Sequence, residues 1–446
     1  MADLKQLARR IFLETLAAID VPAAMRRKLW RDGWVLHCGD EFVVDLRAFN
    51  RVCVIAIGKA AHGMVEGLVP VIPPSLRFDG VVSAPARPAR VLSGLQYFVG
   101  GHPIPNRESW QAAEVILASL KTCDEKTLVF FLLSGGGSAL VELPLNEKQT
   151  LEDGQRLYSA LVTCGAPIGD IGKVRRHLSA VKGGRLAAEA GKATKITLAV
   201  SDVPAKQEAA LASGPTLPDP TTIADVHQVL MQYGLRSQLP TAVRQWIDDG
   251  KMIETLKAGD PTFANAHFSL LLGMDDLFHP AHHAAEAAGC ITCCDNTTDD
   301  WPVEKAAAFL LGQLEELRAT HPGRRVALIA DGEVGSPVIG NGIGGRNSAF
   351  VLACVDKIAG RRLAILSAGT DGIDGNSPAA GAVADGETLE RARTMGMDTD
   401  DAFRRSDAYN FFASLEDAVI TGPTGNNLRD LRILIAEPWV ITARMA

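Results

Sequence analysis

The stretch that most constrains the fold is Arg51–Ala61, RVCVIAIGKAA. Its apolar residues run without a break from Val52 to Ile57, reach Gly58-Lys59, and are followed by a helical pattern from Gly63 to Leu68. A buried strand, a glycine turn and a helix in that order open a parallel α/β sheet. The pattern returns in LVFFLLSGGGSAL (Leu128–Leu140) and in ITLAVSDVP (Ile196–Pro204). It returns again at Arg325–Gly332 before a helix Asn347–Val355, and at Arg362–Ala368. The expected fold class is therefore α/β.

A chain of 446 residues exceeds one ordinary core, so two domains are expected. The polar stretch Gly250–Pro261 marks the boundary, giving an N-terminal domain over 1–250 and a C-terminal domain over 260–446, with the second α/β unit beginning at Asn265. Apolar spacing at Leu4, Leu7, Ile11, Leu16 and Ile19 predicts a first helix, and a short second helix is expected over Ala23–Trp30. Ser109 is the expected cap of a helix ending at Leu120. A helix over Asp170–Ala188 is expected to be interrupted at Gly183-Gly184.

Composition excludes some partners. A net charge of −7 and scattered Arg-Arg pairs argue against a nucleic-acid surface. No apolar run approaches a membrane span, and the N-terminal helix carries acids where a leader would be basic and then apolar. Cys290, Cys293 and Cys294 form C-x-x-C-C with no second pair or His at finger spacing, so no metal is expected there. Cys53 and Cys354 read as small buried hydrophobes. The cysteines as a set read as the reduced thiols of a cytoplasmic protein.

The residues suited to chemistry stand at the strand ends. Ser134-Gly135-Gly136-Gly137-Ser138 follows a buried strand and precedes a helix, and three glycines let successive N–H groups face one anion. It reads as a phosphate loop or as a tight strand–helix turn. Lys59 stands where open α/β sheets collect ligands, as a charge clamp or as a surface lysine. Lys173, Arg175, Arg176 and Lys182, with His177 among them, read as a solvated basic face or as a meeting point for an anion. Asp202, Asp331, Glu333, Asp371 and Asp374 fall at or just past strand ends, where an acid holds magnesium or accepts a hydroxyl proton. No P-loop is present. Gly340-x-Gly342-x-x-Gly345 matches G-x-G-x-x-G but neither follows its strand at once nor leads to the ribose-binding acid of a dinucleotide fold. It reads as a flexible lead-in to Arg346.

Taken together, the motifs resemble the glycerate 2-kinase family, the class II type with a MOFRL C-terminal domain. The resemblance rests on IGKA (Ile57–Ala60), GGHPIPN (Gly100–Asn106), LLSGGGSAL (Leu132–Leu140) and IGKVRRHLSAVKGGRLA (Ile171–Ala187). It continues in SDVP (Ser201–Pro204), ASGPTLPDPTT (Ala212–Thr222), GGRNSAF (Gly344–Phe350), SAGTDGIDGNSPAAGA (Ser367–Ala382) and TGPTGNNLRDLRI (Thr421–Ile433). It implies two Rossmann-like α/β domains with the active site in the cleft between them. It implies a magnesium-dependent transfer of the ATP γ-phosphoryl group to the 2-hydroxyl of D-glycerate, giving 2-phosphoglycerate and ADP. By the family's motifs, Lys59 and Arg346 are the essential cations, and Asp202, Glu333 and Asp371 the acids around substrate and metal. On this reading Ser134–Ser138 take the nucleotide phosphates, Lys59, Arg176 and Arg346 bind substrate, and Asp202 and Glu333 hold Mg2+. Relatives labelled hydroxypyruvate reductase make an NAD(P)-dependent reductase the alternative, and a non-catalytic sensor of glycerate or nucleotide stands behind it. Oligomeric state, a homodimer included, is left open.

Overall fold

The computed structural model describes residues 2–201, 203, 207–426 and 428–439. It divides into two compact units, Val21–Gly273 and Met1–Asp20 with Met274–Ala446. Among the described residues, no helix is long and apolar enough to cross a membrane.

The unit Val21–Gly273 begins with a helix, Val21–Lys28, which starts and ends two residues before the expected Ala23–Trp30 because the chain turns at Leu29 into an antiparallel three-stranded meander. Its strands are β1 (Leu29–Asp32), β2 (Val35–Cys38) and β3 (Phe42–Asp45). A parallel six-stranded sheet follows, built from β4 (Arg51–Ile57), β5 (Arg77–Ala84), β6 (Leu95–Val99), β7 (Thr127–Leu133), β8 (Thr194–Val200) and β9 (Ala266–Leu272). The order across the sheet is β6-β5-β4-β7-β8-β9. This is the doubly wound order, and it reverses direction between β4 and β7. Cys53, Ile55 and Ile57 of β4 join Val129, Phe131 and Leu133 of β7 against Ala112, Ala113, Ile116 and Leu120 of helix Arg107–Leu120.

Three expectations are corrected in this unit. Asn106, not Ser109, caps helix Arg107–Leu120: its side chain accepts from the Ser109 N–H at 2.9 Å, and Ser109 Oγ accepts in return from the Asn106 N–H at 3.1 Å. Helix Ile168–Leu178 stops five residues short of the glycine pair, and Arg185–Glu189 is a separate turn of helix. The boundary between units lies at Gly273, because β9 completes the first sheet beside β8. The polar stretch that suggested an earlier boundary is an inner connection, with the Leu256 N–H bonded to the Gly183 carbonyl at 3.2 Å.

The other unit carries a mixed sheet in the order β10-β11-β15-β12-β13-β14. These strands are β10 (Ile291–Asp295), β11 (Val326–Asp331), β12 (Leu363–Gly369), β13 (Gly381–Asp385), β14 (Ala418–Val419) and β15 (Asp430–Ala436). β10 and β11 are parallel, while β15 lies antiparallel between β11 and β12. Its register sets Leu431 beside Asp331 and Asp430 beside Gly369. The start of β15 therefore stands at the same sheet edge as the ends of β11 and β12. Helices Val303–Thr320 and Arg346–Ile358 bury Leu310, Leu314, Phe350, Val351 and Ile358 against one face.

The N-terminal helix Ala2–Ala18 belongs to this second unit, a correction to the domain expectation of 1–250. Its buried stripe of Leu4, Leu7, Ala8, Ile11 and Phe12 packs on β12, β13 and β15. Lys5 Nζ reaches Asp417 at 2.8 Å, and an Arg9 guanidinium N–H donates to the Ala418 carbonyl at 3.1 Å.

Candidate functional site

In the unit Val21–Gly273, the candidate residues gather at the carboxyl edge of the sheet where its order reverses. Gly58, directly after β4, has φ +127°, and a Cβ there would lie 2.1 Å from Ser134 Oγ. Only glycine lets the two strand-end turns approach so closely. The turns are then stitched together. The Lys59 N–H donates to the Gly135 carbonyl at 3.0 Å, and the Ala60 N–H donates to Ser134 Oγ at 3.0 Å. Gly136 is left-handed at φ +82° and begins the short helix Gly137–Leu140. A Cβ on Gly136 would stand 3.6 Å from Lys59 Cγ and 3.2 Å from the His102 ring. The structure thus brings Lys59 and the Ser134–Ser138 loop together at the point where ligands of doubly wound sheets bind.

The loop rests on a buried polar support. Ser138 Oγ meets Ser213 Oγ at 2.7 Å. The Tyr158 hydroxyl donates to the Ser138 carbonyl at 2.8 Å and also bonds Glu142. Lys182 Nζ donates to Glu142 at 2.7 Å and to the Val141 carbonyl at 3.0 Å, and the Arg175 guanidinium lies 4.4 Å from the Tyr158 ring centroid. Burial holds the Lys182 amine below its ordinary pKa, opposed by Glu142, and lifts the Tyr158 hydroxyl. Arg175, Arg176, His177 and Lys182 are all buried, so these four do not form a solvated basic face. Arg176 is tied to buried Asp219 at 2.9 Å, and Lys173 to Asp170 at 2.7 Å. Asp202 lies outside the described residues.

In the other unit, acids and arginines gather at the edge shared by β11, β12 and β15. Arg346 opens helix Arg346–Ile358 and is clamped by two carboxylates, buried Asp430 at 2.5 Å and half-exposed Glu333 at 2.7 Å. Burial weakens its charge, but Asp430 and Glu333 outweigh burial and raise its pKa. A Cβ on Gly369 would stand 3.0 Å from Asp371 Oδ1 and 3.4 Å from Asp430 Oδ1, so Asp371 and Asp430 flank one point on this edge. Asp371 Oδ1 accepts from the Ile373 N–H at 3.0 Å. Asp299 accepts from the Glu333 N–H at 2.7 Å and also bonds Arg429, whose φ is +114°. The structure places Glu333, Arg346 and Asp371 at one sheet edge. It adds Asp299, Arg429 and Asp430, which local sequence reasoning did not single out.

Two of the strand-end acids have other work. Asp374 is buried and accepts from the N–H groups of Asn347 and Ser348 at 2.9 and 2.8 Å, which makes it the cap of helix Arg346–Ile358. Asp331 is fully buried, neither of its carboxylate oxygens has a hydrogen-bond partner, and Arg429 stands 3.7 Å away. Burial, with Asp299 adding to it against Arg429, pushes its pKa up to about 6.

The G-x-G-x-x-G stretch is pinned down, contrary to the expected flexible lead-in. Ile339, Gly342, Ile343 and Gly344 donate their N–H groups to Ser406 Oγ, the Arg405 carbonyl, Asp407 and Asn376, each at 2.9 Å. A Cβ on Gly340 or Gly342 would come within 2.6 Å of the Arg405 carbonyl oxygen, and one on Gly345 within 2.3 Å of Asp374. These glycines allow close packing of loop on loop.

Among the described residues, no group of three His, Cys, Asp or Glu side chains is set to hold a metal ion. Magnesium carried by a nucleotide needs only one or two carboxylates. Glu333 supplies a carboxylate of the right chemistry, currently engaged by Arg346.

A family described as a domain of unknown function, DUF4147, matches residues 7–248, and the MOFRL family matches residues 326–430. A D-glycerate 2-kinase from Thermotoga maritima is 35% identical over 86% of this chain and 90% of its own. A glycerate 2-kinase from Pyrococcus horikoshii is 32% identical over 97% of both chains. A putative hydroxypyruvate reductase from Agrobacterium vitis is 32% identical over 97% of this chain and 94% of its own. The crystal structure of the Thermotoga maritima glycerate kinase superposes with a TM-score of 0.81, covering 98% of this chain and 100% of that one. The chain belongs to the glycerate 2-kinase family with a MOFRL C-terminal domain.

Proposed function

We propose that this protein is a glycerate 2-kinase that moves the γ-phosphoryl group of ATP to the 2-hydroxyl of D-glycerate. The observation that carries the reading is the meeting of Lys59 with the Ser134–Ser138 loop at the switch point of a doubly wound sheet, in a chain of this family. The 2-hydroxyl oxygen forms the new bond to phosphorus, the bond from phosphorus to the β–γ bridging oxygen breaks, and ADP leaves. The hydroxyl proton passes to a carboxylate, for which Asp371 and Asp202 are the proposed acids. Such transfer depends on positioning and on neutralising negative charge rather than on a covalent intermediate.

In this assignment Ser134, Gly135, Gly136, Gly137 and Ser138 receive nucleotide phosphates, and Lys59 and Arg346 neutralise the transferred group or the glycerate carboxylate. Arg176 lines the substrate side only by leaving Asp219, so its part is the least supported by geometry. Magnesium bound to the nucleotide would neutralise phosphate charge, with Asp202 and Glu333 as its proposed protein ligands and Arg346 released from Glu333. The protein is proposed to act in the cytoplasm on small molecules.

The reductase reading draws on the Agrobacterium vitis relative's name and on the sheet order. The first strand–helix turn, Gly58-Lys59-Ala60, lacks the dinucleotide fingerprint, and the G-x-G-x-x-G of Gly340–Gly345 is taken up by loop packing. Glycerate-dependent ADP release tests the assignment. Lys59→Ala and Arg346→Ala should each lower turnover by about 10²–10³. Near-normal ADP release from both variants would overturn it, and loss of NADH with hydroxypyruvate in the absence of ATP would favour the reductase.

A further inference from the structure

The proposed reaction uses Arg346 but gives no part to Asp430, the buried carboxylate that holds it. Asp430 opens β15, and the antiparallel insertion of that strand sets it beside Gly369 at the end of β12. Its carboxylate accepts from two nitrogens of one guanidinium, Arg346 Nε at 2.5 Å and Arg346 Nη2 at 3.3 Å. Two N–H···O bonds to one carboxylate fix the plane of a guanidinium as well as its distance. The third nitrogen, Nη1, meets Glu333 at 2.7 Å. The two partners differ in kind. The Asp430 side chain is 4% exposed and belongs to a strand paired on both sides, whereas the Glu333 side chain is 45% exposed and lies in the loop after β11.

The neighbouring groups leave this arrangement intact. Arg432, the other buried cation at the start of β15, spends Nη1 and Nη2 on the carbonyls of Asp331 and Gly332, at 3.3 and 2.8 Å, and lies over the Phe350 ring. The backbone beneath Arg346 is fixed as well, because Asp374 accepts from the N–H groups of Asn347 and Ser348. Arg346 is thus anchored at both ends of its side chain, with Nη1 on the side of the half-exposed Glu333. An unanchored arginine samples many rotamers, and each turnover would have to order it against an anion.

We propose that Asp430 is a positioning residue, which holds Arg346 by Nε and Nη2 so that Nη1 addresses the anionic group of the ligand once Glu333 turns away. The inference rests on the kinase reading of the site and gives Asp430 no contact with substrate. A rival role is acceptance of the hydroxyl proton, since a Cβ on Gly369 would stand 3.0 Å from Asp371 Oδ1 and 3.4 Å from Asp430 Oδ1. The two roles separate when Arg346 is absent. A positioning residue then has nothing to hold, whereas a proton acceptor is still needed.

The test is a double-mutant cycle on the full chain with Mg-ATP and D-glycerate, alongside NMR of protein with isotope-labelled arginine. Asp430→Asn should lower kcat/KM on the order of 10²-fold, and in the Arg346→Ala background its further effect should fall below about threefold. Guanidinium ion should restore part of the activity of Arg346→Ala, ammonium at the same ionic strength should not, and adding Asp430→Asn should abolish that rescue. The Arg346 Nε–H signal, identified by its loss in Arg346→Lys, should exchange slowly with water in the wild type and rapidly in Asp430→Asn. An equal loss from Asp430→Asn with and without Arg346 would overturn the proposal, and so would a rapidly exchanging Arg346 signal in the wild type. If Asp430→Asn does not fold, the rescue of Arg346→Ala by guanidinium over ammonium decides, and its absence overturns the anchor. A wild type that releases no ADP with glycerate would instead overturn the kinase reading, and the Arg346 signal would still show whether Asp430 holds this side chain.

Discussion

At the scale of single residues, Asp331 sets a pH dependence. Its folded pKa of about 6 stands above the ordinary carboxylate value because burial disfavours its charge. The folded state therefore binds more protons than the unfolded one between about pH 4 and pH 6. Stability falls as pH rises through that window, and the whole penalty, on the order of 3 kcal/mol, is present above it. Asp331→Asn should therefore be more stable than the parent at about pH 8 and close to it at about pH 4, read by denaturant melts. Lower stability of the variant at the higher pH would mean that Arg429 fully satisfies the charge. The same scale shows where sequence reading runs out. Glu333, Arg346 and Asp371 were legible because each follows a strand or opens a helix. Asp430 and Arg429 were not, because their place beside Gly369 and Asp331 follows from the antiparallel insertion of β15, a pairing of residues far apart in the chain.

At the scale of elements, the strand–turn–helix units were legible from unbroken apolar runs ending in glycine. The turn after β4 is the most demanding of them. Gly58→Ala would place a methyl group against Ser134 at a backbone conformation that disfavours side chains. It should disturb the Ser134–Ser138 loop and lower turnover by at least about tenfold, with the fold retained by circular dichroism. An unchanged rate would show that the contact between the two turns is not needed. The helix Ala2–Ala18 was legible as a helix from its spacing, but its destination was not, since an apolar stripe does not name the sheet it covers. Phe12→Ala, removing a fully buried ring from that stripe, should cost about 3–5 kcal/mol in the unfolding of the unit that carries the mixed sheet. An effect confined to the unit Val21–Gly273 would contradict the assignment of this helix. The short meander β1–β3 escaped notice because its strands of four residues carry no long apolar run.

At the scale of the whole molecule, two α/β units were legible from length and from the recurrence of strand–glycine–helix patterns. The boundary was misplaced because a polar stretch marks exposed chain, whereas the end of a unit is set by which sheet the next strand joins. β9 joins the first sheet, and the chain's first helix crosses to the second unit. The account's central claim is phosphoryl transfer from ATP to the 2-hydroxyl of D-glycerate. The most direct measurement incubates the purified protein with Mg-ATP and D-glycerate and adds enolase, which converts 2-phosphoglycerate to phosphoenolpyruvate. The account predicts phosphoenolpyruvate formation that requires both ATP and glycerate and matches the ADP released. ADP release without an enolase-competent product, or no ADP release at all, would contradict it.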